Sequence, residues 1–371
     1  MSTVVVHQCP QCGAPIGFDV ASQTWQCKYC GGICEKGFQP AVRADAELSA
    51  VPTDSAIGFN LPQTCSTMNP QIDPAAQADF EAKAEIFNCP SCGAELMVDA
   101  NTAATSCAYC NNPTLLKSRL SGAYYPVHII PLKITKDQAK SLFAKGLKGK
   151  PLLPKCFKDQ RKLNDAQGVY LPFWLFDCDV AGGMQAKATI VRTYNTARHI
   201  VTETSHYDVV REGTSNYRKV PADASKRLDS NQMEMLEPYN YEELCDFNMG
   251  YLSGYVAEKY DKVADECFPR VNKRVGDYIQ KKLHSTVTGF TSVRVTGANH
   301  TVPNCQSNYT LLPVWMLTYN YNGKDWHYAV NGQTGRIVGD LPISKGKLWG
   351  WFGGIAVAAM TIITALGGFM A

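Results

Sequence analysis

The sequence has no Gly-x-x-x-x-Gly-Lys-[Ser/Thr], no His-Glu-x-x-His, no Gly-x-Ser-x-Gly and no Gly-x-Gly-x-x-Gly. These absences remove a P-loop motor, a zincin-type protease, a nucleophile-elbow hydrolase and a Rossmann dinucleotide site. No enzymatic activity is expected. Strong net charge is missing too: 36 Lys+Arg against 33 Asp+Glu leave +3 over 371 residues. Bulk charge therefore does not announce a nucleic-acid protein. Met1 to Gln8 lack the basic start and apolar core of a secretory signal. From Leu348 to Phe369 there is no charge and no Asn, Gln or His.

Cysteine, by contrast, is plentiful. Eight of the 15 cysteines form four Cys-x-x-Cys pairs. Cys9 and Cys12 are followed after fourteen residues by Cys27 and Cys30, and Cys89 and Cys92 by Cys107 and Cys110 at the same separation. Each doublet supplies four thiolates that can meet at the corners of one tetrahedron, the geometry of structural Zn²⁺. Two zinc ions are expected, one per doublet. His7 and Cys34 flank the first set, which is complete without them. Redox chemistry is the rival reading, because Cys-Pro-x-Cys resembles a dithiol active site. A thioredoxin-like motif uses one Cys-x-x-Cys at a helix start. Here every pair has a matched partner, and Gly13 or Gly93 follows as in a zinc knuckle. The other seven, Cys34, Cys65, Cys156, Cys178, Cys245, Cys267 and Cys305, sit mostly singly in apolar stretches, as buried free thiols do. An odd, unpatterned set argues for a reducing compartment.

The pattern predicts an α+β multidomain chain: two small four-cysteine zinc ribbons, an α+β body and one C-terminal transmembrane helix. Residues 1–34 form the first ribbon and 87–122 the second. Residues 35–86, rich in Pro, Ala and Gln with mostly acidic charge, read as a flexible linker unable to order itself, with a short helix at Ala75–Phe87. Substitution of Cys9 or Cys89 by Ser is expected to unfold its own ribbon and leave the other intact. Residues 344–371 form the anchor. The twenty-two residues 348–369 span about 33 Å as a helix, enough to cross a hydrocarbon core. Trp349 and Trp351 sit where an aromatic belt belongs, and Lys345 and Lys347 lie just outside. By the positive-inside bias the N-terminal domains face the cytoplasm of a single-pass protein. Gly350, Gly354 and Ala358 make a small-residue row that suits a helix–helix contact or is simply common in such helices.

Residues 123–343 read as the α+β body. Thr135-Lys-Asp-Gln138 is a capping box, with Ala139, Leu142, Phe143 and Leu147 on one helical face and Gly146 and Gly149 ending it. Further helices are predicted at 255–266 and 271–283, and strands at 184–194, 198–211 and 286–297. Val169–Phe176 and Thr310–Leu317 share Leu-Pro-x-Trp in apolar surroundings, read as buried strands and as a sign of two related halves. Asn322-Gly323 and Asn331-Gly332 predict a three-stranded meander over 310–340. Between Tyr124 and Lys162 there are ten Lys/Arg and two Asp. Lys133, Lys136, Lys140, Lys145, Lys148, Lys150, Lys155 and Lys158 suit anionic lipid headgroups, nucleic-acid phosphates or plain solvent. His128, His199, His206 and His327 read as structural.

The Cys-Pro-x-Cys-Gly and Cys-x-Tyr-Cys blocks resemble transcription-factor-IIB-type zinc ribbons and the ribbon pairs of a primosomal helicase. That likeness covers about fifty residues. The whole layout resembles bacterial TFIIB-type zinc ribbon-containing membrane proteins. The resemblance implies a membrane adaptor that recruits cytosolic partners, such as an SPFH (flotillin-like) or phage-shock-type protein, in envelope homeostasis. Two alternatives stand beside it. One is a nucleic-acid-binding ribbon protein, against which the ribbons and linker are not basic and offer few stacking rings (Trp25, Tyr29, Tyr109). The other is a thiol oxidoreductase.

Overall fold

The computed structural model describes residues 16–27, 30, 32–33, 66–67, 77, 80–81, 84–99, 106–110, 112, 116–118, 125–196 and 199–367. Its framework is three very long strands. β8 (Gln167–Asn195) pairs antiparallel with β9 (Ile200–Asp223) on one edge and with β12 (Ser292–Tyr321) on the other. The sequence signals only fragments of these strands, because Gly182-Gly183 and the Leu-Pro steps resemble breaks. Gly182 is instead a point of close approach: a Cβ there would lie 2.8 Å from the Ile279 side chain. The absent side chain lets a helix settle onto the sheet.

That helix is α4 (Ala264–Ser285), whose Val271, Val275, Ile279 and Leu283 are buried. The expected helix at 271–283 is its C-terminal part. The expected helix at 255–266 is a correction. Val256–Glu258 forms β11, a wholly buried three-residue strand parallel to β8 at Val169–Tyr170 and antiparallel to β5 (Glu95–Asp99). Pairing on both edges overrides the weak local helical preference. The strand expected at 286–297 starts at Ser292, the first residue of β12.

Other expectations hold. α1 (Lys136–Leu147) has a complete capping box between Thr135 and Gln138 and buries Ala139, Phe143 and Leu147. Gly149, at φ 77°, follows it. Two short helices, α2 (Gln160–Leu163) and α3 (Ser230–Met235), lie between α1 and α4. β7 (His128–Ile129) runs parallel to β12 and pairs antiparallel with β10 (Cys245–Asp246). The C-terminal half of β12 continues into β13 (Lys324–Asn331) and β14 (Ile337–Gly339) as an antiparallel meander. Its first turn has Asn322 and Gly323 at φ 55° and 73°, as a type I′ turn requires. The two Leu-Pro-x-Trp segments lie side by side, Leu171 opposite Leu312 and Pro172 opposite Leu311. Both tryptophans are buried, and each indole N–H donates to a carbonyl: Trp174 to Lys262 at 2.9 Å, Trp315 to Ile134 at 2.7 Å.

The expected boundary between second ribbon and body does not separate them. β4 (Ala84–Asn88) pairs with β5 on one side and β6 (Leu116–Ser118) on the other, and β5 joins β11, so these strands extend the body's own sheet. The described part of residues 35–86 is also engaged. β3 (Ser66–Thr67) runs parallel to Gln306–Ser307 of β12. Phe80, 2% exposed, packs its ring 5.3 Å from Tyr125 and 5.9 Å from Phe247. The helix expected over 75–87 is helical at Gln77, Phe80 and Glu81, then gives way to β4.

A hairpin within the span expected to be the first ribbon, β1 (Ile16–Asp19) and β2 (Thr24–Cys27), docks on the body as well. Trp25 and Phe18 lie 4.8 and 5.0 Å from the Tyr251 ring. Gly250 makes room, since a Cβ there would collide with the Trp25 ring. α5 (Lys345–Gly367) closes the described chain.

Candidate metal centre

The knuckle begins with a tight turn. Gly93 N–H donates to Cys89 O and Cys89 N–H to Ala94 O, both at 2.8 Å. Gly93 takes φ 69°, a conformation that costs glycine nothing. This turn presents Cys89 and Cys92. The second turn presents Cys107 and Cys110 and is closed by Cys107 N–H donating to Asn112 O at 2.9 Å. The same bond recurs after β2, from Cys27 N–H to Gly32 O at 2.9 Å.

The four sulfurs converge. Cys89 Sγ lies 3.5 Å from Cys110 Sγ and Cys92 Sγ 3.5 Å from Cys107 Sγ, and all four fall within 4.8 Å of one another. A tetrahedral ion with metal–sulfur bonds near 2.3 Å needs sulfurs about 3.8 Å apart, so the residues fit one metal ion. Their acid–base chemistry agrees. Burial opposes ionisation of Cys89, but the amides of Cys92 and Ser91 and the Cys110 thiol bring its pKa down to about 7. Burial pushes Cys110 up to about 11 and Cys107 well up. A bound cation supplies the charge that draws such thiols into the thiolate form.

The expected first set is reached in part. Cys27 is buried and Cys30 exposed, whereas Cys9 and Cys12 lie outside the described residues. Among the described residues, Cys89, Cys92, Cys107 and Cys110 are the group that could hold a metal ion.

Sequence reasoning missed what lies behind the knuckle. Arg227 donates to Cys92 O at 2.7 Å and also to Gly93 O, and its guanidinium sits 5.9 Å over the Tyr109 ring. Its Nε lies 3.3 Å from Glu258 Oε1, a carboxylate 1% exposed. Tyr109 donates to the other oxygen of Glu258, and Ser225 Oγ donates to Oε1 at 2.9 Å. Burial pushes the Glu258 carboxyl up to about 8 against the Tyr109 and Ser225 hydrogen bonds and the Arg227 charge. Thr318 Oγ1 on β12 donates to Ala108 O at 2.9 Å. The knuckle is thus wired to β11, to the segment after β9 and to β12. Gly93, Glu95, Arg227, Lys259, Tyr260 and Asp261 line a cleft of about 280 Å³ beside it. No sequence motif marks Arg227 or Glu258; their partners are more than one hundred residues away or meet through the fold.

At the other end, α5 is long and apolar enough to cross a membrane, and none of its Lys345–Ile363 stretch is buried against the rest. It is rooted in the basic segment. Ser344 N–H donates to Leu152 O at 2.9 Å and Lys347 Nζ to Leu153 O at 2.5 Å. Lys136, Lys145, Lys148 and Lys150 are exposed on α1 and the turns after it.

No protein-family model matches the chain. No solved structure matches it. A Bacillus subtilis (strain 168) protein, "Uncharacterized protein YdjG", is 36% identical over 319 residues, covering 73% of this chain and 94% of that protein. A likeness of that depth over nearly the whole relative places this chain in the family of YdjG.

Proposed function

We propose that this protein is a membrane-anchored adaptor of the TFIIB-type zinc-ribbon kind. In this reading the ribbons are folded by Zn²⁺, α5 crosses the membrane, and the ribbons and body face the cytoplasm and recruit a protein partner there. The observation that carries it is the pairing of a fully exposed apolar helix with lysines gathered at its root. A soluble protein has no use for an unburied apolar helix of this length. Lys345 and Lys347 and the exposed lysines between 136 and 150 suit the headgroup layer, where each cation contributes about 1 kcal/mol against anionic lipid. Zinc is favoured by the donor set: four thiolates in a tetrahedron select Zn²⁺ over the hard cations, whose ligands are oxygens.

An SPFH or phage-shock-type partner in envelope homeostasis remains the proposal that the family resemblance suggests. The test is affinity capture from crosslinked membranes, using the full chain and a chain lacking residues 1–34. The full chain is expected to retain one discrete cytosolic protein that the shortened chain loses. Capture of nucleic acid in place of protein, released by salt, would replace the adaptor reading with nucleic-acid binding.

A further inference from the structure

Two cysteines far apart in the sequence meet in the sheet. Cys178 on β8 and Cys305 on β12 occupy directly opposed positions of the antiparallel ladder. Their sulfurs are 2.8 Å apart, and the residues are 0% and 3% exposed. Directly opposed antiparallel residues have Cα atoms about 4.5 or 5.5 Å apart, inside the range of about 4.4–6.8 Å that a disulfide spans. The remaining sulfur separation can close to the bonded distance of about 2.05 Å by side-chain rotation alone. The pair therefore needs no backbone rearrangement to bond.

Its surroundings differ from those of the other buried thiols. Cys245 donates to Ile129 O at 3.3 Å and Cys267 to Asp223 O at 3.4 Å, as structural thiols do. Cys178 faces another sulfur instead. By strand alternation it shares a face with Phe176 and Gly182, which meet Phe268 and Ile279 of α4. The pair thus lies under the helix, remote in the sheet from the knuckle thiols. It also sits where both ladders are irregular. The β8–β9 register shifts between Phe176 and Cys178, and the β8–β12 register between Thr301 and Asn304. A covalent tie here would fix the junction between the outer stretch of the three long strands and the part carrying β11 and the knuckle.

We propose that Cys178 and Cys305 are a redox pair that closes to a buried disulfide when the protein meets hydrogen peroxide. Two S–H bonds break and one S–S bond forms. The two protons and two electrons pass to the peroxide, whose O–O bond breaks to give two waters. A dithiol that gains access reverses such a bond by thiol–disulfide exchange.

The experiment treats the full-length, zinc-loaded protein in detergent with graded peroxide. All thiols are then alkylated in denaturant, and the chain is digested without reductant for mass spectrometry. The expected product is a Cys178–Cys305 peptide pair two hydrogen atoms lighter than its parts, lost on treatment with dithiothreitol. Cys245 and Cys267 should stay alkylated. In Cys178→Ala, Cys305 should be recovered as an alkylated thiol after the same exposure, and Cys178→Ser serves if the alanine variant folds poorly. Recovery of both wild-type cysteines as alkylated thiols, at a dose that has already oxidised the knuckle cysteines, would overturn the proposal. So would their appearance in crosslinks to other cysteines.

Discussion

Replacement of Cys89 by serine is expected to destabilise the body as well as its own knuckle. Structural zinc contributes an apparent ~10–16 kcal/mol to the folding of small zinc modules, as much as the ~5–15 kcal/mol that holds a typical domain together. Here that free energy would not be confined to a detached module. β5 lies between β4 and β11, with Leu96 and Met97 fully buried. Arg227 and Thr318 donate hydrogen bonds to the knuckle carbonyls of Cys92, Gly93 and Ala108. Losing one ligand releases the metal, frees the knuckle and leaves Glu258 without its Tyr109 donor. Hydrogen exchange on the full-length protein should show protection lost at 256–258 and 167–175 as well as at 89–112, and chelation should reproduce the pattern. Low pH should release the metal as the thiolates protonate. Cys156→Ser, at an exposed position, is the control and should stay within about 0.5 kcal/mol of wild type. Loss of protection limited to 89–112 would restore the independent module that the sequence suggests.

Arg227→Met is expected to have the second largest effect, and one that depends on pH. Removing one member of a buried ion pair costs about 3–5 kcal/mol because the other charge is left behind. Glu258 can escape by keeping a proton. Burial already holds its carboxyl at about 8, against an ordinary value of 4.5. Because the folded value is raised, Glu258 contributes stability that is complete below pH 4.5 and is lost as pH rises through about 8. Without Arg227 the folded carboxyl titrates higher still. At pH 8 the wild-type carboxyl is only half ionised, so the full cost appears above it: at pH 10 the variant should lose about 3–5 kcal/mol. At pH 5 only the donors to Cys92 O and Gly93 O are missing, and the loss should be about 1–2 kcal/mol. Glu258→Gln should remove this pH dependence, and the double variant should be less destabilised at pH 10 than Arg227→Met alone. Chemical unfolding at pH 5 and pH 10 measures all three. A loss that is the same at pH 5 and pH 10 would show that the Glu258 charge is not what Arg227 balances.

What the sequence made legible was local. The Cys-x-x-Cys spacing brought out Cys89, Cys92, Cys107 and Cys110 because a knuckle is made by contiguous residues. The capping box at Thr135 and the Asn322-Gly323 turn were readable for the same reason. What escaped were features that exist only across the fold. β11 is three residues long, too short for any periodicity, and its strand character comes from two neighbours nearly ninety residues or more away along the chain. Phe80 is one apolar residue in a polar stretch, and nothing nearby says that Tyr125 and Phe247 will receive it. The opposition of Cys178 and Cys305 depends on the register of a ladder closed across 127 positions of sequence. The continuity of β8 was hidden by glycines that serve packing with α4 rather than turning.

α5 is the proposed membrane anchor, with the rest of the chain on its lysine side. Alkaline carbonate extraction of membranes carrying the full chain, combined with protease treatment of sealed inside-out vesicles, tests it directly. The prediction is that the chain stays in the membrane pellet and that protease removes the ribbons and body from the exposed cytoplasmic face, while deletion of residues 345–371 moves the protein to the supernatant. Release of the full chain by carbonate, or protection of its ribbons and body in inside-out vesicles, would contradict it.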